Sequence, residues 1–446
     1  MKAKEIIALI IMLIKDELES PDIADRFRIG KGFTRDRKLT FKAMVLFLLF
    51  KGKKALTSTM ADFRDAFSDC LGSTGHITKQ AVSKARKNLS PDIFRFFLRL
   101  CVNTFLDAKP EDSALEEKFH IFAIDGTDIQ MPQRTQALEK FSFHKDRKGY
   151  PFAMGKGSIL YSVTYKLIID FQLQKYKFSE RSLAMEHVKA LSQVPFTKQP
   201  LIIMDRGYFS KELCAFMEEH GIKYIFRVKK NMLEVQKMIK SGSMDRVFPY
   251  KRNEKYHVTV RVIRLDLGDQ AGEEYLVTNL FDSSIGLKEF KKLYFLRWPV
   301  ELKYREIKGI ECLEDFSGYT PEAIEQDCLI TCLYSNLASI LRMEADDYIN
   351  ARCLEKAAEL EASKDTASGR KVIMYRSKIC RSLERIMKRF PVMLAGLHDI
   401  EICCADIIAF LFLRENWSEI QPGRQYERVI KQPNRKYHYN KKSIFG

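Results

Sequence analysis

No two cysteines of this 446-residue chain are separated by two residues, so the paired spacing of a zinc ribbon is missing. The ten cysteines are scattered. Cys328 and Cys332 share a helix face and Cys403 and Cys404 are adjacent, but Cys70, Cys101, Cys214, Cys312 and Cys380 have no near partner. That pattern reads as buried free thiols in a reducing cytoplasm. A run of transmembrane length is also lacking. The nearest candidate, Ile6 to Ile14, holds nine apolar residues after Lys2 and Lys4, and no small-residue cleavage site follows it. It reads as an amphipathic first helix. There is no internal repeat and no low-complexity tract. Acid is in deficit: 58 Asp and Glu stand against 75 Lys and Arg, a net charge of +17 with a pI near 9.3. A 46% hydrophobic content excludes a disordered chain. The excess of base leaves two readings open, a polyanion such as nucleic acid as partner or an ordinary basic enzyme.

Along the chain, residues 1–112 read as helical. Ten bases and one acid, Asp36, fall between Arg26 and Lys54. Thr78 is placed to cap a helix with Ala81, Val82 and Ala85 inward and Lys79, Lys84, Arg86 and Lys87 outward. With a helical pattern from about Thr57 to Phe67 and a Gly72-Ser73-Thr74-Gly75 turn before it, this is either a helix-turn-helix or a solvated charged helix. Near residue 118 the texture changes. Ile121 to Ile124 is an apolar run ending in Asp125-Gly126. Ser158–Tyr165 and Leu167–Lys175 read as a strand pair, Glu180–Leu191 as a helix, and Leu201–Met204 as a second apolar run ending in Asp205-Arg206-Gly207. Lys211–His220 reads as helix and Tyr224–Val228 as strand. This order predicts an α/β domain with a mixed sheet. Val258, Val260 and Val262 alternate with Thr259 and Arg261, the period of a half-exposed strand, and Tyr275–Leu280 is another strand. Helix returns at about 298 and dominates to the end. The last 26 residues, with seven bases and one acid, read as a basic tail.

Two apolar strands that each end in aspartate and glycine place carboxylates where sheets bind ligands. Side by side, Asp125 and Asp205 would repel unless a cation joined them, and oxygen-only ligands favour Mg²⁺ or Mn²⁺. The bland alternative for each is a turn or a helix cap. A third element runs from Tyr294 to Lys308. At about 100° per residue, Arg297, Arg305 and Lys308 fall within about 40° of Glu301 on a helix, as would Tyr294 if the helix reached it. One acid in a stripe of cations suits a carboxylate on a metal flanked by groups that grip phosphate. A solvated face with a Glu301–Arg305 pair is the alternative. Pro299 fits best in a first turn, which sets the helix start near Trp298.

These residues resemble the DDE transposases of bacterial insertion sequences, specifically the "insertion sequence four" family. The family signature is Tyr, two residues, Arg, three residues, Glu, six residues, Lys, and it is complete at Tyr294, Arg297, Glu301 and Lys308. Asp125-Gly126-Thr127 and Asp205-Arg206-Gly207-Tyr208 resemble the motifs around the first and second aspartates. Glu180, Ala184 and His187 sit where the intervening helix carries similar residues. The resemblance covers about 40–345.

The resemblance implies an RNase H-like catalytic core, a mixed sheet with flanking helices, interrupted by a β-rich insertion that fills the 96 residues from Asp205 to Glu301. It divides the chain into a helical DNA-end-binding region (1–112), the first part of the core (113–228), the insertion (229–290), the second part of the core (291–345) and a helical region with a basic tail (346–446). It implies that Asp125, Asp205 and Glu301 hold two Mg²⁺ or Mn²⁺ ions. Phosphoryl transfer would then nick the ends of an element in double-stranded DNA and join the 3′ ends to target DNA. Tyr294, Arg297 and Lys308 would hold phosphates. Trp298 would either stack on a displaced base or pack beneath its helix. A homodimer would pair two ends in the cytoplasm, at the nucleoid. The alternatives are a nuclease of the same fold and a transposase-derived DNA-binding protein without transposition activity. Asp128, His144, His187, Glu306, Glu311 and Asp315 are left without a catalytic role.

Overall fold

The computed structural model describes residues 1–34, 39–50, 56–67, 77–108, 118–145, 149–194, 196, 198–251, 257–268, 272–362 and 373–420. The Gly72–Gly75 turn, Cys70 and the basic tail from 421 lie outside them, as do several bases between 35 and 54.

Apolar runs in the middle of the chain assemble a nine-stranded mixed sheet. Its strands are β1 (Phe119–Gln130), β2 (Phe143–Lys145), β3 (Pro151–Ser162), β4 (Leu167–Lys175), β5 (Gln199–Met204), β6 (Lys223–Val228), β7 (Asp245–Lys251), β8 (His257–Asp266) and β9 (Glu273–Thr278). The spatial order is β2-β3-β1-β5-β6-β9-β8-β7, and β4 lies along β3. Strands β1, β5 and β6 are parallel, and the other pairings are antiparallel. The centre carries the uninterrupted apolar sequences that a two-sided burial demands: Ile121–Ile124 and Leu201–Met204 are buried throughout.

The 229–290 stretch carries helix as well as the expected strands. It opens with a helix, Leu233–Lys240, and closes into another, Leu287–Phe295. Strands β7 to β9 between them extend the same sheet from the free edge of β6. Thr278 and Asn279 bond the main chain of Tyr224, and Asn279 also bonds Ile222. The expected outward Arg261 of β8 points inward. It is buried, paired with Asp245 at 2.6 Å, and donates to the carbonyls of Leu280, Asp282 and Ile285. A guanidinium with this many acceptors can be interred where an unpaired one could not. It fixes the loop that leads into Leu287–Phe295.

Helix Pro321–Ala362, 42 residues and about 63 Å long at 1.5 Å per residue, packs against β4, against Asp92–Ala108 and Ala3–Glu19, and against Ile379–Leu394 and Ile400–Phe412. Ile6, Ile7, Ile10, Ile11 and Ile14 of the first helix are buried among these helices. Both helical ends of the chain therefore join one apolar core. Among the described residues no helix is long and apolar enough to cross a membrane.

Candidate functional site

Asp125 does not end its strand. It is the seventh of twelve residues in β1, and β3 pairs with it on one side, Asp125 opposite Ile159. Its other side is where the strand becomes open. The parallel pairing of β1 with β5 runs to Ala123 and Ile203, and β5 ends at Met204. Two residues past that last pair lie Asp125 on β1 and Asp205 just after β5. Parallel register thus sets the two aspartates level, at the point where β1 loses its neighbour.

Helix Trp298–Gly309 crosses this opening and packs on β1. Pro299 occupies its first turn, where a missing N–H costs nothing. Tyr304, three residues past Glu301 on the same face, donates its hydroxyl to the Asp125 carbonyl at 2.7 Å. Ser158 donates to the same carbonyl at 3.2 Å, and the Gly126 N–H donates to Asp125 Oδ1 at 3.0 Å. Asp125 is therefore clamped by backbone and hydroxyl contacts. Burial pushes its carboxyl up to about 6; the Gly126 N–H and Arg297 pull down, and Glu301 and Glu180 push further up.

Each of the other acids stands next to a cation. Glu301 pairs with Arg297 at 2.6 Å, one turn before it, rather than with Arg305. Asp205 has Arg227 at 3.6 Å, and its buried Oδ1 makes no hydrogen bond. Glu180 opens helix Glu180–Leu191 behind the Ser179 cap and has Lys156 at 3.3 Å. Beneath them, His187 is fully buried and bridges Asp170 (2.8 Å) and Ser158 (2.9 Å). Against the upward push of burial, His187 and Arg95 hold Asp170 down to about 2. His187 is thus part of the support under Asp125.

The structure brings Asp125, Asp205 and Glu301 to one opening, with the signature residues around them. Lys308 donates to the Asp128 carbonyl and lies 3.3 Å from Glu314. Tyr294 (4% exposed) and Arg297 (3%) are buried, which differs from the expectation of side chains open to phosphate. Arg297 acts on Glu301, and Tyr294 sits in the field of Arg227, Arg297 and Asp205. Trp298 is 40% exposed, with the Arg297 guanidinium 5.1 Å from its ring, so it is not packed beneath its helix.

Farther away, Thr78 does cap helix Lys79–Lys87, accepting from Ala81 N–H at 3.2 Å. Lys79, Lys84 and Lys87 are exposed. Arg86, expected outside as a DNA contact, is 7% exposed and faces inward. It bonds Gln326, Ser317 and the Ala323 carbonyl and pairs with Asp327 at 2.7 Å. It ties helix Lys79–Lys87 to Pro321–Ala362, and its neighbours are long-range in sequence, so no local pattern marked it.

Arg227, Lys156 and Tyr304 were not singled out from the sequence, and Tyr208 stood there only as the last residue of the second aspartate motif. Tyr304 carried a signal, its three-residue spacing from Glu301. Arg227 and Lys156 carried none, since each meets its acid only through strand pairing. The acids, all oxygen donors with a buried unpaired Oδ1 among them, match a hard divalent cation in chemistry. They would have to close on it. Among the described residues no three His, Cys, Asp or Glu side chains meet at metal-binding spacing, and Arg297 engages Glu301.

Residues 117–337 match the family described as "Transposase DDE domain". No curated protein matches the chain. Among solved structures, a piggyBac transposase synaptic complex with hairpin DNA is similar at 11% identity and a TM-score of 0.42, covering 93% of this chain and 86% of that one.

Proposed function

We propose that this chain, which carries a transposase DDE domain, is an insertion-sequence transposase of the "insertion sequence four" type that cuts and joins DNA at Asp125, Asp205 and Glu301. The observation that carries the proposal is the register of β1 and β5, which sets Asp125 level with Asp205 beneath the helix bearing Glu301. The order β4-β3-β1-β5-β6, three antiparallel strands followed by two parallel to the first, supports an RNase H-like core.

Two divalent cations, Mg²⁺ or Mn²⁺, would supply activation of a water or 3′-hydroxyl and stabilisation of the leaving oxygen. Asp125, Asp205 and Glu301 would hold them. The chain's own contribution is to position. Tyr304 and Ser158 fix the Asp125 backbone. Arg297 occupies Glu301 until the centre closes, and would then face the phosphate whose charge the acids repel. Lys308 lies on the same face, beside Asp128. Trp298, half open to solvent, is free to stack on a base. Lys79, Lys84 and Lys87 offer exposed charge to the DNA backbone near the element ends. Pairing of two ends would be the work of a homodimer, in the cytoplasm.

Glu301→Ala is expected to abolish strand cleavage on DNA that carries the gene's flanking inverted repeats, with retardation of the same DNA in a gel unchanged. Cleavage that survives the substitution would sink the site assignment.

A further inference from the structure

Glu180 lies between the two aspartate motifs. A Cβ on Gly126 would come within 3.1 Å of Glu180 Oε1, and one on Gly207 within 3.5 Å of Oε2. The missing side chain of Gly126 thus leaves room for one oxygen of the Glu180 carboxylate, and Gly207 lies at ordinary contact distance from the other. The position of Glu180 is set by the Ser179 cap, whose hydroxyl accepts from Ser182 N–H. It lines an open pocket of about 400 Å³ together with Lys156, Tyr176, Lys177, Phe178 and Arg181, so it stays within reach of solvent.

A second group aims at the same spot. Tyr208 is 2% exposed and its hydroxyl makes no hydrogen bond. That hydroxyl lies 3.4 Å from the Gly126 Cβ position, in the field of Asp125, Glu180 and Asp205. A buried O–H without an acceptor is costly, and a cation's bound water is an acceptor that fits there. Lys156 divides its ammonium between Asp128 at 2.5 Å and Glu180 at 3.3 Å, so Glu180 has only the longer of the two contacts.

We propose that Glu180 is a fourth carboxylate of the centre, holding a divalent cation together with Asp125, and that Lys156 occupies Glu180 in the cation-free protein. The proposal rests on the metal-dependent reading above and adds a ligand to it. Binding of the cation would break the Lys156–Glu180 contact and leave Lys156 on Asp128 alone.

The test is Mn²⁺ titration of the full chain without DNA, followed by calorimetry and by the paramagnetic signal of free Mn²⁺. E180Q is expected to lose one equivalent of Mn²⁺ or to bind it at least tenfold more weakly, and K156A to bind it several-fold more tightly. E180Q that binds Mn²⁺ as the wild type does, while D125N loses it, overturns the role of Glu180 and leaves the metal reading standing. Wild-type protein that binds no Mn²⁺ overturns both. If thermal unfolding in EDTA shows E180Q to be misfolded, K156A decides: unchanged or weaker binding refutes the proposal.

Discussion

Replacing Asp125 by Asn should stabilise the cation-free protein at neutral pH. The carboxyl is surrounded by Glu301 and Glu180 and largely withdrawn from water, and it titrates near 6 instead of 3.8. The folded state therefore holds a proton between these two values that the unfolded chain has released. Stability falls as pH rises through that window, because the native state there binds more protons than the unfolded one. The effect vanishes about one unit below 3.8, where both states are protonated, and is complete about one unit above 6. The difference between 3.8 and about 6, at about 1.4 kcal/mol per pH unit, gives a cost of about 3 kcal/mol for keeping this carboxylate charged. Asn keeps the shape and can keep the acceptor for the Gly126 N–H. Urea unfolding in EDTA from pH 4 to pH 8 measures the effect, with D125N and wild type compared at each pH. The D125N advantage should be under about 1 kcal/mol at pH 4 and reach about 3 kcal/mol by pH 7.5. Curves that stay parallel across the range would refute the reasoning. Such a trade, stability given up at a site that function requires, is common where charge must be concentrated.

Three further outcomes are expected. Arg86→Ala should destabilise the protein by about 3 kcal/mol, since it removes the charge partner of the half-buried Asp327 and a bond of the buried Gln326; thermal or urea unfolding reads it, and a shift under about 0.5 kcal/mol would contradict the strut. Lys84→Ala and Lys87→Ala should leave stability unchanged and each reduce the slope of log affinity against log salt by about 1 on DNA; a filter-binding salt series with unchanged slope would remove these lysines from the interface. His187→Ala should cost about 3 kcal/mol, because Asp170 and Ser158 lose their shared partner in a dry interior; equal midpoints for mutant and wild type in urea would show the bridge to be dispensable.

Local chemistry made much of the core readable. Thr78 and its capped helix, the helix from Glu180, the start of the helix at Trp298 and the buried runs before both aspartates follow from caps, proline placement and apolar runs, which act over a few residues. The same reasoning failed where a charged side chain found long-range partners. Arg86 and Arg261 read as outward from periodicity, yet each meets enough acceptors from distant segments to be buried. It also failed at the end of β1. The apolar run stops at Ile124, but the strand continues to Gln130 because β3 pairs along its whole second half.

The sequence alone pointed to Asp125, Asp205 and Glu301 as the candidate acids, because the Tyr-Arg-Glu-Lys spacing and the two aspartate–glycine motifs are one-dimensional patterns. It could not place Asp125 level with Asp205, set Tyr304 on the Asp125 carbonyl, or bring Lys156 and Arg227 to their acids. Those relations come from strand register and from a helix laid across a sheet. Both are settled by pairing and packing between segments from about 20 to about 180 residues apart, which no local spacing encodes.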